Sequence, residues 1–189
     1  NFLILKNGNI KFNFDRSNLK MAIDAEYFLV NQNYNNNIKI NIEKKLNEKT
    51  KVYTTFKTEK LKINTKDISK FLSSYDKIIK DQNIILDSDN KISFFIDNRN
   101  EIEKLKINSL MKINQFEIKY NSDKIKKFLP EFNEKVIFKN NDIELDYADN
   151  EIIVDVNGDY SLKEKFDKYK IAFSKKIDKY FFDTFIDID

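Results

Sequence analysis

Leu61-Lys62-Ile63-Asn64-Thr65-Lys66-Asp67-Ile68-Ser69-Lys70-Phe71-Leu72 returns 57 residues later as Ile118-Lys119-Tyr120-Asn121-Ser122-Asp123-Lys124-Ile125-Lys126-Lys127-Phe128-Leu129. Each copy reads as the end of a strand, then Asn with a hydroxyl residue, then a short amphipathic turn. Thr65 and Ser122 stand where an N-cap oxygen would accept from a free backbone N–H of a first helical turn. Ile68, Phe71 and Leu72, like Ile125, Phe128 and Leu129, fall at i, i+3 and i+4 and so share one helical face. The match resumes downstream, where residues 90–98 align with residues 150–158 at an offset of 60. A strand-rich repeat of this period predicts a stacked architecture rather than a closed globule, with units near 37–96 and 97–156 inside one 1–189 segment.

Outward from the repeat, apolar residues alternate with polar ones. Ile10, Phe12 and Phe14 follow a turn signal at Asn7-Gly8-Asn9. Leu19, Met21, Ile23, Ala25, Tyr27 and Leu29 share one side of a longer strand, and Ile38, Ile40 and Ile42 form another after an Asn-rich connection. The apolar phase slips by one residue between Phe56 and Leu61, which predicts a bulge there, since a one-residue slip turns side chains to the other face. Residues 84–87 and 91–97 read as a hairpin around Ser88-Asp89-Asn90. Residues 102–107, 110–120, 136–138, 143–147 and 151–156 read as separate strands, Pro130 ends the second short turn, and Asn157-Gly158 carries the type I′ hairpin signal. Residues 161–166 fit either a capping box or a strand. Tyr169, Ile171 and Phe173, then Tyr180, Phe182, Thr184, Ile186 and Ile188, alternate again. The expected class is mainly β, repeated antiparallel strands with two short helices.

Composition narrows the chemistry. The chain has 189 residues, 34 basic and 31 acidic, no His and no Cys. Absence of His removes the usual neutral-pH acid–base group and the commonest metal ligand, and absence of Cys removes thiolate chemistry. The basic residues interleave with acidic ones and include only Arg16 and Arg99 as arginines, a solvated-face pattern rather than a nucleic-acid footprint. The longest apolar run, Tyr27-Phe28-Leu29-Val30, is far short of the roughly 20 residues a membrane helix needs. Asp87-Ser88-Asp89-Asn90 has the opening of a calcium loop, but Lys91 takes the next ligand position and the required Gly and Glu are missing, so turn chemistry is the better reading. Nothing orients Ser73 or Ser74 toward a lysine, and Asp187 and Asp189 read as a solvated face. No catalytic residue, metal or cofactor is expected. Strand-like alternation running up to Asp189 and the lack of an initiator Met make a segment of a longer protein the expectation.

The strand ending Lys62-Ile63-Asn64, the short Asp67-Ile68-Ser69-Lys70-Phe71-Leu72 turn, and the Phe128-Leu129-Pro130 turn before Val136-Ile137-Phe138 and Ile143-Glu144-Leu145-Asp146-Tyr147 together resemble the AsmA-like superfamily, including YhdP- and TamB-type envelope proteins. The resemblance covers most of residues 37–189. It implies a curved, groove-like (taco-shaped) sheet in a periplasmic rod. The rod would be anchored to the inner membrane through a segment outside this one, stack on neighbouring repeats of the same chain, and carry phospholipid acyl chains for outer-membrane biogenesis. No catalytic residues come with it. The groove-lining candidates are Ile10, Phe12, Phe14, Leu19, Met21, Ile23, Ile38, Ile40, Ile42, Ile92, Phe94, Ile96, Ile152, Val154 and Val156, each of which fits an ordinary closed core equally well. The competing expectations are a structural or protein-binding β module without lipid, and an enzyme using carboxylates alone.

Overall fold

The computed structural model describes residues 3–29, 36–65, 82–119, 126–127, 135–162 and 165–187. Among these residues ten strands succeed one another: β1 (Leu3–Asp15), β2 (Asn18–Leu29), β3 (Asn36–Lys45), β4 (Thr50–Asn64), β5 (Asn83–Ile96), β6 (Ile102–Lys119), β7 (Lys135–Ala148), β8 (Glu151–Ser161), β9 (Asp167–Lys176) and β10 (Lys179–Ile186). They pair in chain order as one antiparallel meander. The sheet is open among the described residues: β1 pairs only with β2, and β10 only with β9. The helical turns expected over residues 65–79 and 122–130 fall almost wholly outside the described residues, as do Ser73, Ser74, Pro130 and Asp189.

Register and alternation give the sheet two chemically opposite faces. Ile10 pairs with Ile23 and Ile23 with Ile40; Phe12 pairs with Met21 and Met21 with Ile42; Ile42 pairs with Val52 and Val52 with Phe94. The run continues at the other end, where Leu145 pairs with Val154, Val154 with Phe173, and Phe173 with Phe182. The opposite face carries cross-strand ion pairs at registered positions: Lys20–Glu43 (3.4 Å), Asp24–Lys39 (3.4 Å), Lys57–Asp89 (3.1 Å) and Lys112–Asp142 (3.5 Å). Each is exposed and worth about 0–1 kcal/mol, so these pairs select register more than they stabilise.

Strands this long keep one apolar face only because bulges reset their phase. The slip expected between Phe56 and Leu61 is a bulge between Thr58 and Leu61, with Lys60 at φ 50. Asn7 (φ 51), Lys104 (φ 50) and Asn140 (φ 50) mark equivalent shifts in β1, β6 and β7. One extra residue in left-handed conformation leaves the ladder locally unpaired and swaps the parity of the residues beyond it. Leu5 and Ile10, of opposite parity in β1, therefore point to the same face.

Five expectations from the sequence are corrected by the strand register. Asn7-Gly8-Asn9 is a bulge inside β1, not a turn before a strand. Ser88-Asp89-Asn90 lies in mid-β5, and the hairpin expected around it does not exist; residues 102–119 and 136–147 likewise form single strands rather than pairs of short ones. Asn157-Gly158 sits inside β8 with no positive φ, while the type I′ turn of this hairpin is Asp149-Asn150 (φ 51 and 66), between the pair Ala148 and Glu151. The common cause is that these polar residues serve contacts with distant strands and not local chain reversal.

A second correspondence appears once register is known. Hairpin β1–β2 and hairpin β7–β8 match without a gap at an offset of 133: Phe14↔Leu19 becomes Tyr147↔Ile152, and the shift between Lys6 and Asn9 becomes that between Lys139 and Asp142. In each, the left-handed Asn reaches an acid 19 residues on, Asn7 to Glu26 (2.9 Å) and Asn140 to Asp159 (2.7 Å). The two units expected from the sequence span three strands apiece, β3–β5 and β6–β8, so this hairpin match cuts across them.

Candidate functional site

The candidate site is the apolar face, and its organisation begins with the backbone groups that the bulges strand. Buried N–H and C=O groups must find partners. Asn36, 1% exposed, accepts the Glu59 N–H beside the β4 bulge at 2.8 Å. Asn141, also 1% exposed, donates Nδ2–H to the Ile113 carbonyl at 2.9 Å. Asn90 Nδ2–H donates to the Phe56 carbonyl (3.2 Å) and to Ser88 Oγ (2.8 Å), and the Ser109 hydroxyl donates to Asn90 Oδ1. These residues form an oblique belt of polar positions across the sheet, from Asn36 at the start of β3 through Asn90 and Ser109 to Asn141 within β7.

Two tyrosines reach over a neighbouring strand into that belt. Tyr27 on β2 passes β3, and its hydroxyl meets Thr58 Oγ1 and the Lys57 carbonyl (3.1 Å) on β4. Tyr169 on β9 passes β8 and donates to Asn141 Oδ1 (2.7 Å) on β7. Gly158, paired with Tyr169, makes that crossing possible: an added Cβ would stand 3.0 Å from the Tyr169 ring and 2.9 Å from the Lys139 carbonyl. Close backbone approach, rather than a turn, is why glycine stands at 158. Burial pushes the Tyr169 phenol up to about 12, and the Asp159 carboxylate adds to the rise. Burial also raises Tyr27, against its hydrogen bond with Thr58, and raises Tyr160, whose hydroxyl donates to the Asp187 carbonyl at 2.9 Å.

Around Tyr169 the belt becomes aromatic. Phe116 stacks on Phe138 with centroids 4.8 Å apart, and Tyr169 stands edge-on to Phe138 (5.2 Å) and Tyr160 (6.4 Å). At the sheet's end Gln82 bridges to β6, donating to the Glu117 carbonyl (2.6 Å) and accepting its N–H (2.9 Å). Thr65, expected as an N-cap, shares its hydroxyl with both backbone groups of Gln82.

Every groove-lining candidate named from the sequence falls on this face by register. Ile10, Phe12, Phe14, Leu19, Met21, Ile23, Ile38, Ile40 and Ile42 occupy β1–β3; Ile92, Phe94 and Ile96 occupy β5; Ile152, Val154 and Val156 occupy β8. Exposure is greatest at the edges, where Phe12 and Phe14 are 68% and 76% exposed and Phe182 is 70% exposed. Central residues are half-buried by their neighbours in the sheet. Alternation identified these residues, whereas Leu61 and Phe138 on the same face escaped it because bulges break their phase, and Leu86 and Ile113, in phase with Ile92 and Ile107, share the face too.

The surface hollows lie on the other face. One of about 670 Å³ runs over β4–β8 between Lys57, Asp87, Leu110, Lys112, Glu144 and Asp155. Another, of about 830 Å³, lies over β1–β4 between Lys11, Lys20, Ala22, Asn41 and Tyr53. Several carboxylates here are held by lysines, and among the described residues no group of three or more Asp or Glu is arranged to hold a metal ion. Among the described residues no helix is long and apolar enough to cross a membrane. No family model, curated protein or solved structure matches the chain.

Proposed function

We propose that the chain is a non-catalytic segment of a lipid-transport bridge in which the apolar face holds phospholipid acyl chains. The observation that carries the reading is the continuity of that face across ten strands, kept in phase by left-handed bulges. Burying apolar surface is worth about 25 cal/mol per Å², so a face of this extent, left uncovered by the described residues, favours an apolar occupant. That the open sheet curves around this face as a groove is part of the same proposal. In this reading the belt residues fix strand phase, and aliphatic and aromatic side chains on either side contact the acyl chains. The periplasmic setting, the inner-membrane anchor, outer-membrane biogenesis and stacking on neighbouring repeats come with the family resemblance and belong to the same proposal.

A second reading, a structural or protein-binding β module with a closed core, draws support from the position of the described hollows on the polar face. Native mass spectrometry of the purified chain, with solvent extraction of co-purifying phospholipid, separates the two. The lipid reading expects bound phospholipid that Ile23→Asp or Phe94→Asp removes while the circular dichroism of the sheet persists. A lipid-free, folded wild-type chain, or unfolding by both substitutions, supports the closed core.

A further inference from the structure

Among the described residues nothing pairs with either outer edge of the meander. β10 is exposed along its whole length and neither β1 nor β10 contains proline; the edge devices present are the Asn7 bulge, Lys6 and Lys11 in β1 and the shortness of β10. Because eight strands lie between them in an antiparallel order, β1 and β10 run in opposite directions. A second copy laid beside the first in the same orientation would therefore present its β1 antiparallel to β10. β1 stops at Asp15 before its two-residue turn, and β10 starts at Lys179 after its own, both toward the same end of the sheet; register followed across the strands puts Lys179 level with Lys11, so copies with flush turns are staggered by four residues along the strands.

We propose that the β10 edge takes the β1 edge of a second copy of this chain, giving a head-to-tail row with one continuous apolar face. With the turns flush, Lys179 faces Asp15, Tyr180 faces Phe14, Phe182 faces Phe12, Asp183 faces Lys11 and Thr184 faces Ile10. Two opposite-charge rungs fall on the polar face, and two aromatic pairs fall on the apolar face. Sliding the strands by two residues either way keeps the faces matched but leaves no opposite charges opposed: Asp183 would face Asn9 or Asn13. Lys11, Lys179 and Asp183 take part in no ion pair within one copy among the described residues. The β1 bulge at Asn7 closes the pairing stretch at Asn9, so Asn9 to Asp15 face Phe185 to Lys179, seven of the eight residues of β10. Strand addition supplies affinity through main-chain hydrogen bonds, while side-chain rungs select the register. The contact is heterologous, so copies add in series.

Sedimentation velocity of the 189-residue chain across a concentration series tests this. Wild type should associate reversibly, and Lys11→Asp or Asp183→Lys alone should each weaken association roughly tenfold by opposing like charges. Lys179→Asp should do the same at the other rung. An equimolar mixture of the Lys11→Asp and Asp183→Lys chains should regain wild-type association, because every β10–β1 junction between unlike copies is again oppositely charged. Circular dichroism establishes that each variant retains its sheet. A wild-type chain that stays monomeric, association indifferent to the reversals (as face-to-face stacking would be), or a mixture no stronger than its components would overturn the proposal.

Discussion

The two glycines of the chain should respond in opposite ways to the same methyl group. At Gly158, a Cβ would stand 2.9 Å from the Lys139 carbonyl oxygen, 3.0 Å from Asn141 Oδ1 and 3.0 Å from Tyr169 Cε1, where ordinary contact begins near 3.4 Å. The first neighbour is backbone in a paired strand and cannot rotate away. Overpacking of this kind costs roughly 1–3 kcal/mol, against about 0.4–1 kcal/mol gained by restricting the unfolded chain. Displacing the Tyr169 ring would add the loss of its bond to Asn141, about 1 kcal/mol net. The expected result for Gly158→Ala is a destabilisation of about 1–3 kcal/mol, or roughly 3–10 °C in Tm for a chain of this size. At Gly8 the nearest atom is Ala25 Cβ at 3.8 Å and φ is not in the left-handed region, so Gly8→Ala should be neutral or slightly stabilising. Urea and thermal unfolding monitored by circular dichroism read both. If Gly158→Ala proves as stable as wild type, or the two variants behave alike, the close approach of Tyr169 over Gly158 is wrong.

The belt and the bulges give two more expected outcomes. The Tyr169 phenol is raised in the folded state, so its contribution to stability is fully present below the ordinary tyrosine value near 10 and is lost as pH rises toward about 12. Unfolding free energy should fall by about 2 kcal/mol across that window, and Tyr169→Phe should flatten the fall in alkaline urea titrations. Lys60 holds a left-handed φ of 50, a conformation that costs an L-residue about 1 kcal/mol. Lys60→Gly should therefore raise the urea midpoint by the equivalent of about 0.5–1 kcal/mol, whereas Lys60→Val should lower it.

Strand class and face came from local pattern. Ile10, Phe12 and Phe14, or Ile38, Ile40 and Ile42, alternate strictly, and in a sheet alternation fixes which side each residue takes whatever its neighbours are. The phase slip between Phe56 and Leu61 was equally legible, because a bulge leaves its signature in the spacing of the strand that carries it. Absence of His and Cys was readable at once. Tertiary structure decided the meaning of the polar interruptions. Asn90, Asn141 and Gly158 have the composition of turns, yet each answers to a group far away in sequence: the Phe56 carbonyl, the Ile113 carbonyl and the Tyr169 ring. Turn propensity is local, whereas the need to satisfy a backbone group freed by a bulge, or to clear a path for a ring, exists only once the strands are side by side.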